Sequence, residues 1–307
     1  MKYAPIRLAT RSSPLARWQA DSVAERLAPV VAPRPVVPVH VETHGDRDRA
    51  TALSAMGGFG VFTKAIQQHL LDRHAEIAVH SLKDLPTILT HGVSLVAVPP
   101  RGPAGDAFVS NSFRSFDDLP KGATVGTSSL RRRAMILNRR PDLTLVDLRG
   151  NVETRLKKLD EQQMDAIVLA EAGLERLGLA DRITERLDHV WMLPAIGQGA
   201  IGLECRDDDE RMRHFAEALN DPETWSRVTA ERAMLAALGG GCLVPIGATS
   251  ATSSGTLTLR GMVLSPDGTR KLVATHCGPA SSPLAVGQEL AGMLRDAGAA
   301  EILPLPV

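Results

Sequence analysis

Two kinds of residue in this sequence could do chemistry: arginines set just after short apolar runs, and one thiol at the end of three glycines. Thr127, Ser128, Ser129, Arg131 and Arg132 follow the strand-like run Thr124–Gly126. Arg149, Gly150 and Asn151 follow Leu143–Leu148, with Arg155 about one helical turn further on, and Arg176 comes soon after Ala166–Ala170. A guanidinium is a planar fork of donors that grips carboxylate or phosphate oxygens in pairs. Near the start, Arg11-Ser12-Ser13-Pro14 closes a strand over Ile6–Thr10 and opens a helix over Leu15–Leu27. The free N–H groups and partial positive charge of that helix end outline an anion site beside Arg11 and Ser13. Lys83 and Asp84 follow the short strand Ile77–His80, at a strand carboxyl end where α/β sheets gather ligand groups. Taken alone, that Lys-Asp pair reads more readily as a surface turn of little energetic weight.

The thiol is Cys242, in Gly239-Gly240-Gly241-Cys242-Leu243-Val244-Pro245-Ile246-Gly247. Three glycines end the helix-forming stretch before them and leave Cys242 on a tight, thinly shielded loop. On these nine residues alone an inert packed thiol remains the commoner reading. Cys205 and Cys277 complete an odd set of three without metal-ligand spacing, so neither a disulfide framework nor a metal site is indicated, and each of the two reads as a packed thiol.

The elements that must position these groups alternate strand and helix with short connections, the pattern of an α/β sheet. If the sheet is parallel, three successive strand ends deliver Thr127, Ser128, Ser129, Arg131, Arg132, Arg149, Arg155 and Arg176 to one crevice. Thr127-Ser128-Ser129 offers caps for a helix over Leu130–Arg140 that begins with Arg131-Arg132-Arg133, and cations at a helix N-terminus oppose its dipole unless an anion compensates them. Proline- and glycine-rich segments at 99–105 and 192–200 mark a chain that leaves one lobe and returns to it. Lobe 1 is therefore expected over 1–99 with 200–220, including a glycine-rich mobile loop at 45–60, and lobe 2 over 105–193. A C-terminal α+β domain over 221–307 carries Cys242, three strands near Ile246–Thr252, Thr256–Leu264 and Thr269–His276, and a helix from Ser282 to Ala297. Zero formal net charge argues against a general nucleic-acid or membrane-surface role, so any charge-based function is local. Arginine makes up 28 of the 35 basic residues, which favours bidentate anion binding once those residues cluster. There is no Gly-x-x-x-x-Gly-Lys-Ser/Thr loop and no Gly-x-Gly-x-x-Gly after a strand, which disfavours a nucleotide. Several arginines in one cleft then point to a ligand rich in carboxylates. Met1–Thr10 lacks an apolar signal core and no run approaches the roughly 20 apolar residues of a membrane span. A cytoplasmic protein is expected.

Seven stretches in order carry a resemblance that covers essentially the whole chain. They are Ala9-Thr10-Arg11-Ser12-Ser13-Pro14-Leu15-Ala16, His80-Ser81-Leu82-Lys83-Asp84-Leu85-Pro86, Asp106-Ala107-Phe108-Val109-Ser110, Val125-Gly126-Thr127-Ser128-Ser129-Leu130-Arg131-Arg132, Leu148-Arg149-Gly150-Asn151-Val152, Pro194-Ala195-Ile196-Gly197-Gln198-Gly199 and Gly240-Gly241-Cys242. With these the sequence resembles the hydroxymethylbilane synthase family, also called porphobilinogen deaminases, of tetrapyrrole biosynthesis. The resemblance implies two lobes like type II periplasmic-binding-protein domains and a third α+β domain. It implies an enzyme that joins four porphobilinogen molecules head to tail, releasing ammonia, on a dipyrromethane cofactor held by a thioether, with Cys242 as the matching residue. Asp84 matches the catalytic aspartate. Lys83, Arg131, Arg132 and Arg155 match cofactor binders, with Thr127, Ser129 and Gly150 as hydrogen-bonding neighbours; Arg11, Arg149, Arg155 and Arg176 match substrate binders, beside Ser13. Arg133 lies beyond the matched pair and is expected at the surface. A small-molecule substrate, no nucleic acid, no membrane and a monomer are the expected partners and state.

The sequence departs from the family at the loop expected to be mobile. Gly57-Gly58 is followed by Phe59-Gly60-Val61-Phe62 where the family has a lysine after the glycines, and His44 stands where it has an arginine. Both changes weaken positive charge that could reach substrate carboxylates. Two other classes stay open on the residues alone. One is a non-catalytic polycarboxylate binder, against which Asp84 in a cationic site argues. The other is a cysteine hydrolase, which needs a histidine partner that Cys242 lacks nearby in sequence.

Overall fold

The computed structural model describes residues 3–42, 63–88, 90–240 and 244–303. His44, Phe59, the loop expected at 45–60 and Cys242 lie outside the described residues. The chain forms two compact units, one of Met1–Gly102 with Ala200–Trp225 and the other of Pro103–Gly199 with Ser226–Val307. Residues 226–307 fall in the same compact unit as residues 103–199. The physical reason is a common core: Met262 and Leu264 of the C-terminal segment are buried in one cluster with Phe108, Phe116, Met135 and Leu193.

The first unit begins with β1 (Ile6–Arg11), α1 (Pro14–Val31), β2 (Val36–Val41), α2 (Lys64–Leu71), β3 (Ile77–Ser81), a 3₁₀ turn at Leu82–Asp84 and β4 (Val93–Ala97). The second unit follows with β5 (Asp106–Val109), β6 (Thr124–Gly126), α3 (Leu130–Arg139), β7 (Thr144–Val146), α4 (Val152–Asp160), β8 (Ala166–Ala170), α5 (Glu171–Arg176) and β9 (Glu185–Arg186). The chain returns to the first unit with β10 (Ile201–Arg206) and α6 (Glu210–Glu217). It ends with α7 (Pro222–Ala237), β11 (Ile246–Ser253), β12 (Thr256–Leu264), β13 (Lys271–Pro279), α8 (Pro283–Asp296) and α9 (Ala299–Ile302).

The two five-stranded sheets share one plan. The first runs β2-β1-β3-β10-β4 and the second β7-β6-β8-β5-β9. In each, a central strand pairs parallel with two neighbours, and a strand from the crossover segment then enters antiparallel. This is the arrangement of a type II periplasmic-binding-protein lobe, as the resemblance implies. The sheets are mixed rather than wholly parallel, and β5 is a strand that apolar alternation did not single out. Both β5 and β10 are buried along their whole length, so they read as continuous buried runs and not as two-faced strands. The parallel trio in each sheet still brings three strand carboxyl ends to one edge, which is the condition the site needs.

In the C-terminal sheet β11, β12 and β13 are antiparallel in order, and β12 and β13 join at the turn expected at Ser265–Gly268. The edge strand β13 alternates exposed and half-buried residues, which places Cys277 outward and exposed. Cys277 is thus not the packed thiol expected, because the period of two in a strand assigns odd positions here to the open face. Cys205 is packed in the core of the first unit, and burial pushes its thiol up to about 12. Among the described residues no helix is long and apolar enough to cross a membrane.

Two glycines of α8 sit in opposite environments. A Cβ on Gly287 would lie 2.3 Å from Ala230 O and 2.7 Å from Ala233 Cβ, whereas one on Gly292 meets nothing within 4 Å. Gly287→Ala is expected to destabilise the second unit by about 1–3 kcal/mol through overpacking against α7. Gly292→Ala is expected to stabilise it by about 0.5–1 kcal/mol through helix propensity. Urea unfolding of the two variants, read as midpoints, checks the opposite signs.

Candidate active site

In the first unit the site is built on two adjacent parallel strands. β1 pairs with β3 through Leu8 with Ile77 and Ala9 with Ala78, so their carboxyl ends lie side by side. β1 ends in half-buried Arg11, and Ser13 then caps α1, its Oγ accepting from Ala16 N at 3.4 Å. Pro14 fills the first helical position, where no N–H is needed. β3 ends at Ser81 and turns at once into the 3₁₀ turn that carries Lys83 and Asp84, both half-buried. Hydrogen bonds brace that turn. Gln19 of α1, itself buried, donates from Nε2 to Ser81 Oγ at 2.9 Å. Leu82 N donates to Ala200 O at 3.0 Å, and Leu85 N closes the turn on Leu82 O at 3.1 Å. Lys83 and Asp84 therefore stand on a braced turn next to the α1 N-terminus.

In the second unit β7, β6 and β8 are parallel neighbours and their carboxyl ends share an edge. Thr127 is buried, and Ser128 Oγ accepts from Leu148 N at 3.0 Å, tying the end of β6 to the end of β7. Ser129 caps α3 by accepting from Arg132 N at 3.4 Å. Gly150 takes φ +114, where a side chain is strained, and a Cβ there would lie 2.8 Å from Thr154 Cβ. Asn151 then caps α4 by accepting from Thr154 N at 2.8 Å. Arg149 and Arg155 are half-buried at this edge, and Arg155 Nε donates to Gly150 O at 2.9 Å. Arg176 lies at the far end of α5, where its Nη2 donates to Gly199 O at 2.6 Å, and burial lowers its pKa. Arg133, expected at the surface, is half-buried, with Nη1 3.6 Å from Asp147.

Arg131 and Arg132 are 4% and 5% exposed. Both are held by one carboxylate: Arg131 Nη1 lies 2.6 Å from Asp106 Oδ2, and Arg132 Nε and Nη2 lie 3.0 and 2.6 Å from Asp106 Oδ1. Arg131 Nη1 also donates to Leu193 O at 2.5 Å, Arg132 Nη1 to Val168 O at 2.8 Å, and Gln198 Nε2 to Asp106 Oδ1 at 3.0 Å. Burial alone pushes the Asp106 carboxyl up, yet the charges of Arg131 and Arg132, with hydrogen bonds from Arg131 and Gln198, hold it well below the usual carboxylate range. Burial, with the charge of Arg131, lowers the pKa of Arg132 although Asp106 raises it. The cations at the start of α3 are thus compensated by an internal anion, and two guanidiniums against one carboxylate leave local positive charge. Among the described residues Arg131 Nε is buried without a hydrogen-bond partner, a spare donor within this arginine-rich region. Asp106 and Gln198 lie in stretches that carry the resemblance but receive no role from the sequence. The signal for Asp106 was the uncompensated pair of arginines, which demands a carboxylate nearby.

A family model described as "Porphobilinogen deaminase, dipyromethane cofactor binding domain" matches residues 6–214, and one described as "Porphobilinogen deaminase, C-terminal domain" matches residues 225–296. The chain is 47% identical over 303 residues to a porphobilinogen deaminase of Syntrophotalea carbinolica, covering 99% of this chain and 96% of that protein. It is 48% identical over 298 residues to one of Acidithiobacillus ferrooxidans, covering 97% of each. Among solved structures, a periplasmic substrate-binding protein of an ABC transporter from Coxiella burnetii matches with TM-score 0.45 and 13% identity, over 74% of this chain and 96% of that one. A nutrient binding protein from Burkholderia cenocepacia bound to methionine matches with TM-score 0.43 and 13% identity, over 71% and 93%. The family assignment does not draw on these two structures.

Asp106→Asn leaves two buried guanidiniums facing a neutral amide and is expected to cost about 3–5 kcal/mol at pH 7. The native carboxyl titrates below its unfolded value, so its contribution is complete above pH ~4 and is lost as the pH falls below that and through the folded value. Urea unfolding of parent and variant is therefore expected to show a gap at pH 7 that narrows in acid. A constant gap contradicts the ion-pair account.

Proposed function

The chain belongs to the porphobilinogen deaminase family, and from that membership we propose how its own residues carry the reaction. The family's activity is that of a transferase that joins four porphobilinogen molecules head to tail with release of ammonia, and then frees linear hydroxymethylbilane by hydrolysis. We take the enzyme to act as a monomer in the cytoplasm, on a small-molecule substrate.

The observation that carries the assignment of roles is the position of Asp84. It is the carboxylate on a strand-end turn that also bears Lys83, next to a strand that ends in Arg11. Each condensation breaks the aminomethyl C–N bond of one porphobilinogen, the electron pair leaving with nitrogen as ammonia, and positive charge spreads onto the pyrrole N–H. Asp84 stabilises that charge and exchanges the pyrrole proton. The acetate and propionate groups of the rings are gripped by guanidiniums and hydroxyls: Arg11, Arg149, Arg155 and Arg176 with Ser13 for incoming substrate, and Lys83, Arg131, Arg132 and Arg155 with Thr127, Ser129 and the Gly150 backbone for the cofactor. The residues present fit a dipyrromethane. Cations and hydroxyls crowd one sheet edge, Gly150 keeps its backbone open, and Arg131 Nε is a spare buried donor. Cys242, which lies outside the described residues, is the thioether anchor. When bound, the cofactor supplies the free pyrrole α-carbon to which each new ring is joined. Asp84 acts on the N–H of the substrate ring, and Cys242 serves as an anchor and not as the catalytic nucleophile.

Intact mass of the purified protein tests this. An excess equal to two linked pyrrole units is expected, and Cys242→Ser is expected to abolish it. An unmodified mass in protein that consumes porphobilinogen would sink the assignment, and an unmodified mass in inactive protein favours a non-catalytic binder. Asp84→Ala is expected to keep the excess mass and to lose ammonia release by about 100-fold or more; normal turnover removes Asp84 from the mechanism.

A further inference from the structure

Behind the Lys83–Asp84 turn the first unit buries a second set of ionisable groups that the reaction as described leaves without a role. His80 and Glu204 lie on one face of the sheet, since β3 and β10 pair antiparallel with His80 opposite Gly202 and Ala78 opposite Glu204. Their side chains are each 2% exposed, and His80 Nε2 lies 2.9 Å from Glu204 Oε2, a charge-pair distance without hydrogen-bond geometry. From α2, Gln67 Nε2 donates to both Glu204 oxygens at 3.0 Å, and Thr90 Oγ1 donates to Gln67 Oε1 at 2.9 Å. The cluster sits beside an apolar layer that includes Ala9, Ile66, Leu70, Ala78 and Val93. Desolvating polar and ionisable side chains carries a cost, and apolar side chains of similar volume would hold α2 on the sheet without it.

The placement of the pair in the chain explains what the cost supports. Only Ser81 separates His80 from the 3₁₀ turn, and Ser81 is itself fixed by Gln19. β10 and the residue before it approach β3 and the turn at three alternate positions. Ala200 O receives Leu82 N, Glu204 faces His80, and Gly202 admits Leu82, whose Cδ1 would lie 2.9 Å from a Cβ at that position. The strand that returns to this unit therefore acts as a template for the catalytic turn. We propose that Glu204 is a positioning residue for the reaction, acting through His80 to keep the Ser81–Asp84 turn in its working place; this rests on the role assigned to Asp84 above. Glu204 touches neither substrate nor cofactor in this account. Its carboxylate accepts from the α2 amide and stands 2.9 Å from the imidazole, so it links α2 to the residue that precedes the turn by two positions.

The test separates positioning from mere satisfaction of a buried polar group. Glu204→Gln removes the charge, and it places an amide against the Gln67 amide, so it can also weaken the fold. The double variant Gln67→Glu with Glu204→Gln keeps the charge and the donor–acceptor count of the cluster, but moves the carboxylate onto α2, away from His80. Both are purified with the cofactor in place and measured for intact mass, thermal midpoint, kcat and KM. The expected result for the double variant is an unchanged mass excess, a midpoint near that of the parent, kcat lower by about 10- to 100-fold and KM within about twofold. A double variant with parental kcat overturns the proposal, as does one that loses fold and activity together. The parent is assayed in parallel. A parent that does not consume porphobilinogen overturns the proposed function, whereas an active parent beside an equally active double variant overturns only the role of Glu204.

Discussion

One buried carboxylate organises the second unit. Asp106 sits on a strand with no exposed residue and holds the two arginines that open α3, while Gln198 adds a third donor from the segment that leads out of the unit. Without an anion there, Arg131 and Arg132 would face both the positive end of a helix dipole and a low-dielectric surrounding. With it, the two guanidiniums become fixtures: their planes are set by Asp106, Leu193 O and Val168 O before any ligand arrives. Preorganisation of this kind removes the entropy of ordering long side chains from the act of binding. The partial compensation, two cations for one anion, leaves the region with local positive charge.

The first unit solves a similar problem differently. Lys83 and Asp84 are half-buried on a turn of three residues, and the turn is braced by hydrogen bonds to Gln19 of α1 and to Ala200 O just before β10. Both sheets use the strand that crosses from the other unit for the decisive contact. β5 brings Asp106 under α3, and β10, with Ala200 just before it, brings Glu204 behind the turn. The crossover strand enters each sheet antiparallel next to the third parallel strand, which is why it reaches the same carboxyl edge from the opposite direction.

Several elements were legible because their periodicity is strong: β1, β3 and β8 fall where the sequence places them, and a cap for α3 lies within Thr127-Ser128-Ser129 as expected. Four readings were not. β5 is too short and too buried to show alternation. The antiparallel entry of β5 and β10 is a property of pairing and leaves no local trace. Cys277 lies on the exposed face of an edge strand, although its composition suits either face. Arg133 looks like a surface residue in sequence, yet its position on α3 turns it back onto the ends of β6 and β7, where Nη1 donates to Thr127 O at 3.4 Å and to Leu145 O at 3.5 Å.

By itself the sequence determined the residue types of the site and their order along the chain: a thiol after three glycines, an aspartate beside a lysine, and arginines after three strands. These are local facts of composition, spacing and helix capping, and they need no partner to be read. Only the tertiary structure decided which of those charges stand at a strand end and which are locked inside. Arg131, Arg132 and Arg149 look alike in sequence, but the first two meet Asp106 from 25 and 26 residues away while Arg149 stays at the edge. The distinction lies in contacts between distant segments, where burial raises the energy of an unpaired charge until a partner from another strand is brought to it.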